Sequence, residues 1–215
     1  MTFDLAAHLG AMTRVVETLE RDGKPAKAVI ASRIYDTDAD DLWDALTNPE
    51  RLPRWFAPVS GELMLGGKYQ VEGNAGGTIT ACEPKKKIAL TWEFMGGMSW
   101  VTITLSRADE GTRLELEHVA PIDPHWGKFG PGAVGVGWDL GFMGLARHLA
   151  EPTAEKPAEA VEGWFASDEA KQMIRATSSD WGRADAEGGE DRAEALARAE
   201  MTRKFYSGEV APGDM

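Results

Sequence analysis

The spacing of apolar positions changes several times along the chain. Over residues 1–21, Phe3, Leu5, Leu9, Met12, Val16 and Leu19 recur near helical spacing and predict an amphipathic helix, which Asp22-Gly23-Lys24-Pro25 breaks. Ala28 to Tyr35 is rich in β-branched residues and predicts a strand. Its inward set is either Ile30 and Ile34, or Val29, Ala31 and Tyr35. Thr37 then stands as a helix cap with Asp40 as capping-box partner. That helix runs through Leu42, Trp43 and Leu46 and stops before Asn48-Pro49, and a second short helix or turn carries Arg51 to Phe56.

From residue 61 to 119 the period becomes two. Strands are predicted at 68–73, 77–83, 87–95, 99–107 and 112–119, with turns at Gly66-Gly67, Asn74 to Gly77, Gly96-Gly97 and Asp109 to Gly111. With no helix between these strands the meander makes an antiparallel sheet, which the first strand joins. Alternation puts Ile88, Leu90, Trp92 and Phe94 on one face, with Val101, Ile103 and Leu105, and Leu114, Leu116 and His118, on single faces of their strands. An apolar face along three successive strands needs a cover. After an irregular, proline-bearing stretch at 120–132, a helix over 133–149 supplies one through Val134, Trp138, Phe142, Leu145 and Leu149. Residues 151–160 read as a linker, Ser167 caps a helix to about Trp181, 184–190 is a loop, and 190–206 is an Ala-, Arg- and Glu-rich helix. The fold class is therefore α+β: a curved antiparallel sheet around a long helix, with extra N- and C-terminal helices. Its parts are an N-terminal helix at 1–24, the main domain at 25–150 and a helical extension at 151–215.

Length and composition narrow the function. A chain of 215 residues can bury a core without metals or disulfides. The single cysteine, Cys82, fits a reducing compartment, and the first residues lack a signal-peptide pattern, so the expected location is cytoplasmic. No run is long and apolar enough to span a membrane. A formal charge of −12 argues against nucleic-acid binding. The one basic run, Lys85 to Lys87, falls in an expected turn. The acidic cluster Asp36, Asp38, Asp40 and Asp41 sits at the positive end of a predicted helix, which is a structural reason for it rather than a metal site.

The pattern over residues 28–149 resembles the START-like superfamily with a helix-grip fold, specifically proteins similar to the C-terminal domain of the activator of Hsp90 ATPase. The segment 43–56 (WDALTNPERLPRWF), Gly66-Gly67 before Tyr69, Pro84 with Ile88, Thr91-Trp92, Gly111 to Leu114 leading to His118, and Gly137-Trp138 carry the likeness. The usual Gly-Phe after the histidine is replaced by Val119-Ala120-Pro121, while Arg203 to Gly208 looks like an extension of some bacterial members. The resemblance implies an apolar cavity and no particular reaction.

Candidate chemistry is sparse. Gly130-x-Gly132-x-x-Gly135 matches a dinucleotide fingerprint as a string, but lacks the strand and parallel βαβ context. It reads as a loop at the mouth of the cavity. The four histidines form no ligand set, so neither a metal nor a cofactor is expected. The aromatic residues are the main signal. A pocket for a small hydrophobic or aromatic ligand would be lined by Trp55, Phe56, Tyr69, Val71, Trp92, Phe94, Val101, Ile103, Leu116, His118, Trp138 and Phe142. One alternative is a cyclase- or isomerase-like enzyme using His118, Tyr69 or Arg33 in the same cavity; another is a chaperone-associated interaction protein. The C-terminal tail also makes a homodimer plausible.

Overall fold

The computed structural model describes residues 3–153 and 160–210. Its strands are β1 (Thr13–Arg21), β2 (Lys24–Tyr35), β3 (Val59–Gly61), β4 (Lys68–Val71), β5 (Gly76–Glu83), β6 (Lys87–Phe94), β7 (Gly97–Ala108) and β8 (Gly111–Pro121). They form one open, antiparallel, curved sheet in the order β1-β2-β8-β7-β6-β5-β4-β3. The helices are α1 (Leu5–Gly10), α2 (Ala39–Thr47), α3 (Leu52–Trp55), α4 (Pro124–Phe129), α5 (Gly132–Ala150), α6 (Asp168–Glu187) and α7 (Arg192–Tyr206). This is the mixed α+β, helix-grip architecture expected.

Four expectations are corrected. Residues 1–21 are not one helix: α1 ends at Gly10, and Thr13–Arg21 is a strand. Asp22 and Gly23 both have positive φ, 52° and 74°, so they form a two-residue turn that folds β1 back on β2. Once a strand partner was available, the β-branched residues of 13–18 paired rather than coiled. Asp38, not Thr37, caps α2, accepting from the amides of Asp40 and Asp41, while the Thr37 hydroxyl donates to the Asp41 carboxylate. The stretch 120–132 contains α4, capped by Asp123, and α6 continues to Glu187 through the expected loop. Of the linker expected at 151–160, residues 154–159 lie outside the described residues. The inward set of β2 is Val29, Ala31 and Tyr35, all buried; Ile34 is 41% exposed.

The chain divides into two compact units, through both of which β2 and α5 run. One comprises Met1–Ala31, Pro121–Leu140 and Glu159–Met215; the other comprises Ser32–Ala120 and Gly141–Ala158. In the first, Trp181, Phe129, Met173, Ile174 and Val136 are fully buried. The glycine string belongs to this packing. A Cβ on Gly135 would lie 2.4 Å from Cε2 of Trp181, and one on Gly132 would lie 2.8 Å from Cγ2 of Thr202. The string thus seats α6 and α7 against α5, which corrects its reading as a cavity-mouth loop.

In the second unit, the end of α5 closes on the sheet. The Tyr35 hydroxyl donates to the carbonyl of Phe142 at 3.0 Å, and the two rings stack 6.3 Å apart. Arg51 clips the segment 41–51 to this helix: its Nη1 donates to Asp41 and Asp44, and its Nε donates to Nε2 of His148 at 3.1 Å. Trp55 donates its indole N–H to the Ala45 carbonyl at 2.9 Å. These contacts give the segment 43–56 a structural task.

Candidate functional site

The inner face of the second unit is built from strand alternation. On β7 it carries Ser99, Val101, Ile103 and Leu105; on β8 Leu114, Leu116 and His118; on β6 Ile88, Leu90 and Trp92. The ladders pair Trp92 with Ser99, Val101 with His118, and Ile103 with Leu116. Val101, Leu105, Leu114, Leu116 and His118 are buried. By contrast Ile88, Leu90 and Trp92 are only half-buried, although β6 has a hydrogen-bonded neighbour on each side.

Next to them lies an apolar cluster. Tyr69, Val71 and Ile79 are buried in it, with Phe56, Ala57, Val59, Leu90 and Trp92 packed against them. Tyr69 stands opposite Gly77, and its ring crosses that glycine so that the hydroxyl donates to the Thr91 carbonyl on β6 at 2.6 Å. A Cβ on Gly77 would lie 2.1 Å from that same carbonyl oxygen, so the position requires glycine. Thr78 compensates for the interrupted ladder by donating its amide to the Thr91 hydroxyl at 2.8 Å. Tyr69 is therefore a pin in the sheet, and burial raises its pKa, with Glu93 adding to the effect.

His118 is 2% exposed, and burial pushes its pKa down to about 4, so the imidazole is neutral near pH 7. Its Nε2 lies 2.8 Å from the Ser99 hydroxyl oxygen, and the Trp92 ring meets it edge-on at 6.2 Å. Ser99 donates its own proton to the Trp92 carbonyl at 3.1 Å. Ser99 does not stand out in the sequence, because a strand serine is neither aromatic nor titratable. The parity signal was present, since Ser99 precedes Val101 by two.

Of the predicted lining, the structure brings Phe56, Tyr69, Val71 and Trp92 into one cluster, with His118 against Trp92. Trp55 lies 5.5 Å from Phe56, and Phe142 is buried against Tyr35. Val101, Ile103 and Leu116 continue the face. Two residues fall elsewhere. Phe94 is 49% exposed beside the tip of the β6–β7 hairpin. That turn is Met95-Gly96, both with positive φ, rather than Gly96-Gly97. Trp138 lies in the part of α5 that belongs to the other compact unit, where it is half-buried. Arg33 shares the face of Tyr35, with its guanidinium 5.1 Å from the ring centroid. Burial lowers its pKa. Among the described residues no three His, Cys, Asp or Glu side chains are grouped to hold a metal ion, and no helix is long and apolar enough to cross a membrane.

The family model for activator of Hsp90 ATPase homolog 1-like protein matches residues 36–150, just over half of the chain. The chain belongs to this family. No curated protein matches it. Among solved structures, the crystal structure of CalU16 from Micromonospora echinospora is 28% identical, with a TM-score of 0.66 over 84% of this chain and 99% of that one. The solution structure of CalU16 gives 29% identity and the same TM-score over 83% and 97%. Protein MLL2253 from Mesorhizobium loti is 25% identical, with a TM-score of 0.52 over 57% of this chain and 96% of that one. The likeness to CalU16 extends beyond the family's own domain, taking in part of the flanking segments.

Proposed function

We propose that this family member binds a small hydrophobic or aromatic molecule in a cavity against the inner face of the sheet, over β5 to β7. One observation carries the reading: Ile88, Leu90 and Trp92 sit mid-sheet, are apolar, and are incompletely covered. Surfaces of that kind are favoured places for apolar ligands. Phe56, Tyr69, Val71 and His118 border the same area. Trp55, Val101, Ile103, Leu116 and Phe142 back it in the proposal, and Phe94 and Trp138 stay outside it.

Binding is favoured over catalysis because the polar groups are dispersed and engaged. Arg33 on β2 and Tyr69 on β4 are five strand positions apart in the sheet, about 24 Å along it. The Tyr69 hydroxyl is bonded to the main chain. With His118 on β8, the three groups stand on three separate strands. Cytoplasmic placement, supported by the single Cys82, belongs to the same proposal, as does a homodimer through the C-terminal helices, where Phe165 and Leu196 are exposed.

The test is a thermal-shift screen with a broad set of apolar and aromatic compounds. A ligand present at a hundred times its Kd adds about 2.7 kcal/mol, which raises Tm by several degrees. Trp92→Ala abolishes the shift if Trp92 lines the site. Silence across the whole set would refute the proposal.

A further inference from the structure

A second cleft lies at the start of β8, away from His118 near that strand's end. We infer that it binds a short peptide with free termini, laid as an added strand along a bare stretch of the β7 edge. The cleft belongs wholly to the second compact unit and shares no residue with the lining proposed for the hydrophobic cavity.

Its volume is about 920 Å³, in the range of small-ligand sites, and its frame is pinned at two points. Lys85 in the β5–β6 turn donates to the Asp40 carboxylate of α2 at 2.8 Å, and the Thr112 hydroxyl donates to the Thr37 carbonyl at 2.8 Å. The loop between β2 and α2 is thereby tied to that turn on one side and to β8 on the other. Residues 104 to 108 of β7 all line the cleft, so it follows the edge of the strand rather than one face. The β6–β7 ladder ends at Lys87 opposite Thr104, with one more bond from the Leu105 amide to the Lys86 carbonyl at 2.8 Å. The chain then turns to β5 through Lys85, at φ 65°. Main-chain groups two residues apart point the same way, so the N–H and C=O of Arg107 face the edge that β6 has left open.

The charges around the cleft suit a dipolar ligand and give it a direction. Four acidic and four basic side chains line it, so neither a simple anion nor a simple cation is favoured. They are sorted along β7. Lys86 and Lys87 stand at the Thr104 end and outnumber Glu83 beside them. Asp109 lies in the β7–β8 turn at the other end, with Asp36 close by: a Cβ on Gly111 would lie 3.2 Å from Cα of Asp36. Asp38 is occupied in capping α2, whereas Lys86, Lys87, Asp36 and Asp109 make no ion pair among the described residues. Thr104 and Ala108 are about 14 Å apart along the strand. An extended tripeptide spans about 10 Å, and the charged side chains reach across the remainder. With its ammonium at Asp36 and Asp109 and its carboxylate at Lys86 and Lys87, the peptide runs antiparallel to β7. In that sense one peptide residue can exchange both main-chain bonds with Arg107.

The test titrates the full nitrogen-labelled chain with trialanine at pH 6.5, below the α-amino pKa of about 7.7–8.0, and follows amide nitrogen–proton spectra. Shifts should concentrate at residues 36–39, 83–87 and 104–112, with a Kd in the millimolar range. N-acetyl-trialanine and trialanine amide should each bind about twofold to fivefold more weakly. Trialanine methylated on its central nitrogen should bind about twofold to tenfold more weakly. Asp36→Asn should abolish the penalty of acetylation, and Lys86→Gln together with Lys87→Gln that of amidation. No shifts with trialanine, shifts confined to residues outside the cleft, or capped and methylated peptides binding as tightly as trialanine would each overturn the inference. Penalties that persist unchanged in the variants would overturn it as well. None of these results bears on the hydrophobic cavity, whose lining is different.

Discussion

Asp139 offers the sharpest test of the energetics. It is 0% exposed on α5, and Nε of Arg14 donates to both its carboxylate oxygens, at 3.0 and 3.2 Å. Trp181 donates its indole N–H to it at 2.9 Å. Arg14 also donates through Nη1 to Asp180 at 3.0 Å, while its buried Nη2 has no hydrogen-bond partner. Despite these contacts, burial pushes the Asp139 carboxyl up to about 6 from 3.8, with the charge of Asp180 adding to the effect. That gap corresponds to about 3 kcal/mol, so desolvation outweighs the arginine clamp. The folded pKa lies above the unfolded one. The carboxyl therefore favours folding fully below pH 3.8, and the advantage is lost as pH rises through about 6. Between pH 5 and 7.5 the loss is about 1.4 kcal/mol. Urea unfolding of the wild type and Asp139→Asn at pH 5, 6 and 7.5 isolates this group, because other titrations cancel in the difference. The wild type should lose that amount relative to the variant. A constant difference, or one moving the other way, would show that the ion pair prevails over burial.

Four further outcomes follow from the same geometry. The depressed pKa of His118 has the opposite sign: its stabilisation is present above 6.5 and is lost as pH falls through about 4, so the wild type should lose about 2 kcal/mol relative to His118→Gln between pH 7.5 and 5. Gly135→Ala should destabilise by about 1–3 kcal/mol because its Cβ collides with Trp181, beyond the ~1 kcal/mol gain in helix propensity; a raised Tm would refute the packing account. Tyr69→Phe should cost about 1–2 kcal/mol through the orphaned Thr91 carbonyl, and calorimetry should show naphthalene binding unaltered. Met95→Asn should stabilise by about 0.5–1 kcal/mol, since the left-handed φ of 49° suits asparagine better than methionine, and a lower urea midpoint would contradict that.

The sheet between residues 68 and 119 was legible because two local signals agreed there, strict alternation and turn residues between strands. At the N-terminus they competed. Phe3 to Leu19 fits helical spacing over its whole length, while Asp22-Gly23 between β-branched runs is a hairpin signal. The strand partner decided, and spacing alone does not weigh a partner. The glycine string shows a related limit. Gly132 and Gly135 are required by Thr202 and Trp181, residues far along the chain, so nothing local distinguishes a packing seat from a phosphate loop. Candidate lining residues on β6 and β8 followed from parity; parity also places Ser99 on the inner face, but its hydrogen bonds depend on which carbonyl and which histidine stand beside it.

The same hydrogen bonds weigh on the choice between a receptor and an enzyme. A general base works best with a pKa near the working pH, and His118 is held far below that by burial. Raising it would need a carboxylate beside the ring, yet the polar contact made by its Nε2 is to a serine hydroxyl. Tyr69 fares no better as an acid, because its pKa is raised and its proton is given to Thr91. Beside the Arg33 guanidinium stacked on Tyr35, this face offers shape, apolar area and a neutral imidazole. Such an arrangement can discriminate between neutral ligands while supplying little to a reaction, and that asymmetry is the physical ground for reading the domain as a binding module.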